Sequence, residues 1–151
     1  SEAFLDAYLG SVGERILYLG NALSFAEMAE LYRASDAYVS PYLGEGFNLP
    51  VLEAMACGLP VICTAGGPTD DFVDDATGWR VRSQVVPVKS GQDEDLGTGL
   101  LVDEAHLVAL MERAMDDVEG RRTLGAAAAA HVAQGWTWAK AVDRLLAAAR
   151  D

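Results

Sequence analysis

AYVSPYLGEGFNLPVLEAMACGLPVICT, residues 37–64, is the stretch whose reading decides the fold. Ala37-Tyr-Val-Ser40 has strand character and is stopped by Pro41. A Gly-rich loop follows, Leu43-Gly-Glu-Gly-Phe-Asn48, and then a short helix from about Leu49 to Cys57. Asn48 is a suitable N-cap, and Pro50 is tolerated where the first-turn amides have no intrahelical partner. Gly58 offers a left-handed C-terminal stop, Pro60 prevents continuation, and Val61-Ile-Cys-Thr64 reads as the next strand. Strand, helix and strand joined by such short connections form a βαβ unit, which predicts a parallel sheet.

The same alternation extends outward. Upstream, Glu2 to Leu9 reads as the end of a helix and Arg15-Ile-Leu-Tyr-Leu19 as a buried strand closed by Gly20. Ser24 and Glu27 have capping-box spacing, with Phe25, Met28, Ala29, Leu31 and Tyr32 following a helical period. Downstream, Ala65-Gly-Gly-Pro68 is a loop, Asp70–Val73 a helical turn, and Gly78-Trp-Arg-Val-Arg82 a last short strand. Residues 83–99 lack apolar periodicity and are expected to form a surface insertion, mobile or packed only superficially. Helices are expected over Glu104–Val118 and Gly120–Ala133. A final one is capped by Thr137, with Val142, Leu145 and Leu146 on its buried face. The expected fold is one α/β domain over residues 1–151, a Rossmann-like parallel sheet flanked by helices.

Bulk properties narrow the function. Apolar residues make up 51% of the 151, which excludes a disordered chain. No apolar run is long enough to span a bilayer, and the opening Ser-Glu-Ala-Phe-Leu-Asp is not a signal peptide. A soluble, cytoplasmic protein is expected. The net charge of −12, from 23 acidic and 11 basic residues, disfavours nucleic acid and anionic lipid as partners. Cys57 and Cys63 lack zinc-site spacing and read as small core residues of a reducing compartment. His106 and His131 have no ligand partner at metal spacing, so neither a metal nor a cofactor is expected.

In open parallel sheets, ligands bind beyond the C-terminal strand ends. Three loops fall there: Gly20–Leu23, Leu43–Asn48 and Ala65–Pro68. Gly44 and Gly46 let the backbone approach a ligand, and the following helix start offers N–H groups to a phosphate. Glu53 is the only charged residue from Gly46 to Thr69, and its helix is apolar on nearly every side. Either it is a partnered carboxylate in a buried helix, or an early-helix acid facing water. Glu45 lies eight positions before it, one acid in the loop and one in the helix. Carboxylates accept paired hydrogen bonds from vicinal hydroxyls, so a sugar is a natural ligand for both. A glycosidase acid–base pair is the competing reading, but such pairs are flanked by substrate-binding aromatics and act on a groove, whereas an acid tucked behind a helix suits holding better than proton transfer.

The segment Glu45-Gly-Phe-Asn-Leu-Pro-Val-Leu-Glu-Ala-Met-Ala-Cys-Gly-Leu-Pro-Val61 resembles the acid–seven–acid motif of retaining group 1 glycosyltransferases with the GT-B fold. Leu31-Tyr-Arg-Ala-Ser-Asp-Ala-Tyr-Val-Ser-Pro41, Gly66-Gly67, Thr77-Gly78 and Trp136-Thr-Trp138 fall in that family's order. The resemblance implies the C-terminal, nucleotide-sugar-binding domain of such an enzyme. Glu53 would hold the ribose hydroxyls and Glu45 those of the donor sugar. The backbone of Gly46, Phe47, Asn48 and Leu49 would face sugar and diphosphate, and the loop after Gly20 would line the base. The leaving diphosphate would be stabilised without a metal, and an acceptor of unspecified kind would attack with retention.

Asn48 departs from the family's usual glycine, and no Lys or Arg occurs between Ala34 and Trp79. The resemblance places an Arg/Lys pair for the diphosphate on an earlier strand. The chain therefore reads as an N-terminally truncated piece of a longer protein, lacking a strand–helix unit and the acceptor domain, and inactive alone. Two rivals remain. One is a sugar-nucleotide epimerase or a phosphorylase on the same fold; a phosphorylase would need a pyridoxal lysine, yet the only lysines are Lys89 and Lys140. A degenerate GT-B module could serve instead as a non-catalytic scaffold.

Overall fold

The computed structural model describes residues 15–149. Its centre is a three-stranded parallel sheet of β1 (Tyr38–Ser40), β2 (Val61–Thr64) and β3 (Trp79–Val81), in that spatial order. Helix α1 (Phe25–Ala34) leads into β1, α2 (Leu49–Ala56) connects β1 to β2, and a 3-10 turn (Pro68–Asp71) follows β2. After β3 come β4 (Ser83–Lys89) and β5 (Asp95–Val102), then helices α3 (Glu104–Asp116), α4 (Val118–Gly135) and α5 (Trp138–Ala148).

Alternation along β2 divides the core into two layers. Val61 and Cys63 face a cluster built from α2, α4 and the loop after the 3-10 turn, including Val51, Met55, Phe72, Ala128 and Val132. Ile62 points the other way, with Trp79 and Val81 of β3 and Leu110 and Ala114 of α3. All four β2 residues are buried, as a strand covered by helices on both faces requires. Burial pushes the Cys63 thiol up to about 11, which suits an inert core residue. Cys57, half-buried, packs against the same core.

The capping box of α1 is realised: Ser24 Oγ accepts from the Glu27 amide, and the Glu27 carboxylate accepts from Ser24. Gly58 has φ +77 and ends α2 in the left-handed region. The turn before β3 is tied by Asp74 and Thr77. The Thr77 hydroxyl donates to Asp74 Oδ1 at 2.9 Å and accepts from the Asp74 amide at 2.9 Å. The side-chain bond from Thr77 holds the Asp74 carboxyl below its ordinary 3.8. Its stabilisation is complete above that value and is lost as pH falls through the depressed one. Thr77→Val should therefore cost about 1 kcal/mol at neutral pH, and the difference from wild type should shrink in acid. Urea melts at pH 7 and pH 3 check both statements.

Four expectations need correction. Residues 16–20 form no strand among the described residues, and Ile16, Leu17, Tyr18 and Leu19 are exposed. A strand exists only by pairing, and no ladder reaches this stretch. Second, Arg82 does not end the strands, because residues 83–102 form the antiparallel β4–β5 hairpin. Its turn is closed by Ser90, whose amide donates to Glu94 O at 2.8 Å, with Asp93 at φ 63. Third, Val142, Leu145 and Leu146 are exposed, and α5 buries no residue although Thr137 caps it. Fourth, Asn48 precedes α2 without capping it through its side chain. The helical end expected over Glu2–Leu9 lies outside the described residues.

Candidate functional site

The loop between β1 and α2 is fixed at its base and open at its tip. Asn48, 5% exposed, adopts φ 68, and its Nδ2 donates to Ser40 Oγ at 2.9 Å. That bond clamps the end of the loop onto the end of β1. The left-handed backbone is one that glycine favours and that asparagine tolerates best among other residues. This explains why the side chain bonds across the loop instead of capping α2.

Tyr42 and Leu43 are fixed as firmly. The Tyr42 hydroxyl donates to Thr64 O at 3.1 Å and lies 2.7 Å from the Thr69 hydroxyl, while Thr64 Oγ1 donates to Tyr42 O. Leu43 O accepts from the Leu100 amide of β5 at 2.7 Å. Beyond Leu43 the loop is free: a Cβ added at Gly44 or Gly46 would meet nothing within 4 Å. Neither glycine has a left-handed backbone, so neither packing nor conformation demands it. Open space above this backbone fits close approach by a ligand.

Glu45 is exposed at that tip, and its Oε1 accepts from the Gly46 amide at 2.9 Å. Phe47 turns its ring inward onto Phe72 (5.1 Å between centroids) and Trp136 (6.1 Å), anchoring the loop to the core. Leu49 begins α2 half exposed. The helix turns Val51, Ala54 and Met55 inward and presents Glu53 to solvent. The picture of Glu53 tucked behind a buried helix is thus corrected, because α2 is apolar in composition yet leaves one side uncovered.

Glu53 is nevertheless engaged. The hydroxyl of Tyr32, from the end of α1, donates to Glu53 Oε2 at 3.3 Å. Tyr32 and Tyr38 meet edge to face at 5.7 Å. Burial raises the Tyr38 hydroxyl above its ordinary value, and the carboxylates of Glu53 and Glu45 both add to the rise. Both acids are therefore close enough to Tyr38 for their charge to be felt at its hydroxyl. Neither tyrosine stands out in the sequence as a site residue: Tyr32 reads as part of a helical stripe and Tyr38 as part of a strand.

The third loop completes the edge of the sheet. The Gly66 amide donates to Asp70 Oδ2 at 2.9 Å, and Arg80 pairs with Asp70 (3.6 Å) and Asp75 (3.2 Å). Arg80, the first basic residue after these loops in sequence, is thus already committed to carboxylates. Gly20–Leu23 makes no hydrogen bond to this region among the described residues. No group of three or more His, Cys, Asp or Glu side chains there could hold a metal ion, and no described helix is long and apolar enough to cross a membrane.

Known proteins share both sequence and fold with this chain. The family model for glycosyl transferases group 1 matches residues 2–117. A D-inositol 3-phosphate glycosyltransferase of Kineococcus radiotolerans is 34% identical over 88% of the chain, which spans 28% of that protein. The sucrose-phosphate synthase of Thermosynechococcus elongatus superposes with TM-score 0.66 at 26% identity, over 97% of the chain and 34% of its own. The C-terminal domain of a glycosyl transferase group 1 family protein from Francisella tularensis shares the fold at TM-score 0.64 and 23% identity. That likeness covers 91% of the chain and 62% of the other.

Proposed function

The chain belongs to the group 1 glycosyl transferases and has the fold of their C-terminal GT-B domain; from that premise we propose that it is the donor half of a retaining sugar transferase. Its ligand is a nucleoside-diphosphate sugar, and its acceptor site lies in another part of a longer enzyme. Glu53 holds the ribose hydroxyls, Glu45 the donor-sugar hydroxyls, and the backbone of Gly46 to Leu49 faces the diphosphate between them. The observation that carries this reading is the pair of solvent-facing carboxylates in the loop and helix that follow the C-terminal end of β1, Glu45 on the open loop and Glu53 on α2.

The chemistry follows from the groups available. Glu45 keeps one oxygen on its own loop amide and has the other open to a hydroxyl donor. The two glycines admit the sugar ring against the main chain. As the anomeric C–O bond breaks, negative charge grows on the diphosphate, and the Leu49 amide at the start of α2, with the helix dipole behind it, stabilises that charge; Pro50 has no N–H and the Val51 amide is held by Asn48 O. Arg80 is committed to Asp70 and Asp75, so in this scheme the neutralising cations are supplied by residues other than Arg80. The reaction needs no metal from the protein in this scheme. The two free cysteines suit a reducing, cytoplasmic setting.

Glu45→Ala in the full-length enzyme tests the division of labour. Affinity for the bare nucleoside diphosphate should stay within about twofold, while turnover of the intact donor falls on the order of tenfold, the cost of one charge-assisted bond made to the sugar. Calorimetry with both ligands and steady-state kinetics read the two arms. Equal weakening of bare nucleotide and donor would show that Glu45 does not single out the sugar. A wild-type protein that binds no nucleotide sugar would favour the scaffold reading.

A further inference from the structure

The β4–β5 hairpin lies outside the Glu45–Val61 segment, and its contacts are selective. Its base meets two of the three loops at the C-terminal edge of the sheet. On one side, the Leu100 amide donates to Leu43 O, and a Cβ added at Gly99 would lie 2.8 Å from Leu43 Cγ and from Val88 Cγ2. On the other, Ser83 Oγ donates to Ala65 O at 2.6 Å, and the Leu100 side chain lies against Gly66 and Gly67. A Cβ at Gly67 would be 2.9 Å from Leu100 Cδ1 and 2.5 Å from the Tyr42 hydroxyl. The hairpin base therefore wedges between the β1 loop and the β2 loop with no slack at Gly67 or Gly99.

The wedge stops at Leu43. Gly44, Glu45 and Gly46 follow with open space around the glycines. The last fixed point before Glu45 is thus a residue whose main chain and side chain are both held by β5. At the other end of the hairpin, the turn around Ser90–Glu94 is exposed, and Leu96 is 63% exposed.

We propose that the β4–β5 hairpin is a positioning element: through Gly99 and Leu100 it sets the place of Leu43, and so the reach of the Glu45 carboxylate over the donor sugar. This rests on the sugar-holding role proposed for Glu45. Leu43, Gly99 and Leu100 act through Glu45 and need not touch the ligand. Small displacements of a group that orients substrate cost rate steeply, by up to about a hundredfold per ångström.

The test is a coupling measurement in the full-length enzyme. Leu43→Ala empties the contact on Gly99 and leaves the backbone bond, whereas Gly99→Ala pushes the same contact apart. Each should lower kcat with the donor roughly tenfold and leave bare nucleotide affinity within about twofold, with Leu96→Ala at the hairpin tip unchanged as the control. In a Glu45→Ala background, the same two substitutions should change kcat by less than about twofold, because the group they position is gone. Equal losses in both backgrounds overturn the proposal, as does unchanged kcat in both variants while circular dichroism shows them folded. Failure of the underlying reading looks different, since Glu45→Ala alone would then leave turnover intact.

Discussion

In Glu53→Ala, affinity for a bare nucleoside diphosphate and for the intact nucleotide sugar should fall together, by roughly ten- to hundredfold. That corresponds to about 1.5–3 kcal/mol, the range for hydrogen bonds to an ionised group. The equality follows from the assignment to ribose, which both ligands carry. The size follows from geometry. Among the described residues only Glu53 Oε2 has a protein donor, the Tyr32 hydroxyl at 3.3 Å, and the side chain faces solvent, so a vicinal diol can reach it. The fold should survive, because the buried face of α2 is made by Val51, Ala54 and Met55, and alanine is a better helix former than glutamate. Titration calorimetry with both ligands, alongside a thermal melt, gives the answer. A variant that binds the bare nucleotide as wild type does removes Glu53 from the ribose site.

Gly125→Ala should destabilise the protein by about 3 kcal/mol, the size expected when a core contact is forced apart. Helix propensity alone predicts the opposite sign, a gain of about 1 kcal/mol in the middle of α4. The contact decides: an added Cβ would lie 2.0 Å from the Gly58 carbonyl oxygen and 3.0 Å from its carbon. Both sides are backbone, so no side chain can swing away. Gly58 is itself held at φ +77 in the turn that ends α2, which leaves it little room to retreat. Gly135→Ala, at the last residue of α4 with only Arg144 Nη2 at 3.9 Å, is the uncrowded control and should be close to neutral. Denaturant unfolding of the two variants separates packing from propensity; stabilisation of Gly125→Ala would contradict the close approach.

Legibility in the sequence tracked how local each decision was. Ser24 with Glu27, Gly58 with Pro60, and the strand–helix–strand of 37–64 are set by neighbours within a few residues, and each appears in the structure. The hairpin is not legible in the sequence because Pro87 and the glycines at 97 and 99 interrupt the period-2 signal. Pro87 is nevertheless tolerated on β4, which has a free edge. Ile16 to Leu19 misled for the opposite reason: strand-like composition cannot supply the neighbour that a strand needs. At the site, Glu53 is legible from its isolation among apolar residues, and Glu45 from its spacing to Glu53 in a glycine-rich loop. Tyr32 and Tyr38 are not, since a tyrosine in a core stripe and one beside a carboxylate look the same in one dimension. Which side of α2 Glu53 occupies also depended on what α1 and α4 cover.

The hairpin divides the chain's tolerance for inherited change. Residues at its base touch two loops at once, so a substitution at Gly99 or Leu100 is felt at the sheet's working edge. The turn between Ser90 and Glu94 is bonded mainly to itself and to Lys89, through the Lys89–Asp93 pair at 2.7 Å. Insertions, deletions and reversals of charge can accumulate there at little energetic cost, because lengthening an exposed loop is cheap in entropy. Lineages carrying this hairpin can diverge at its end in length and sign while its foot stays fixed, so one strand pair holds a nearly frozen site and a freely varying surface about seven residues apart.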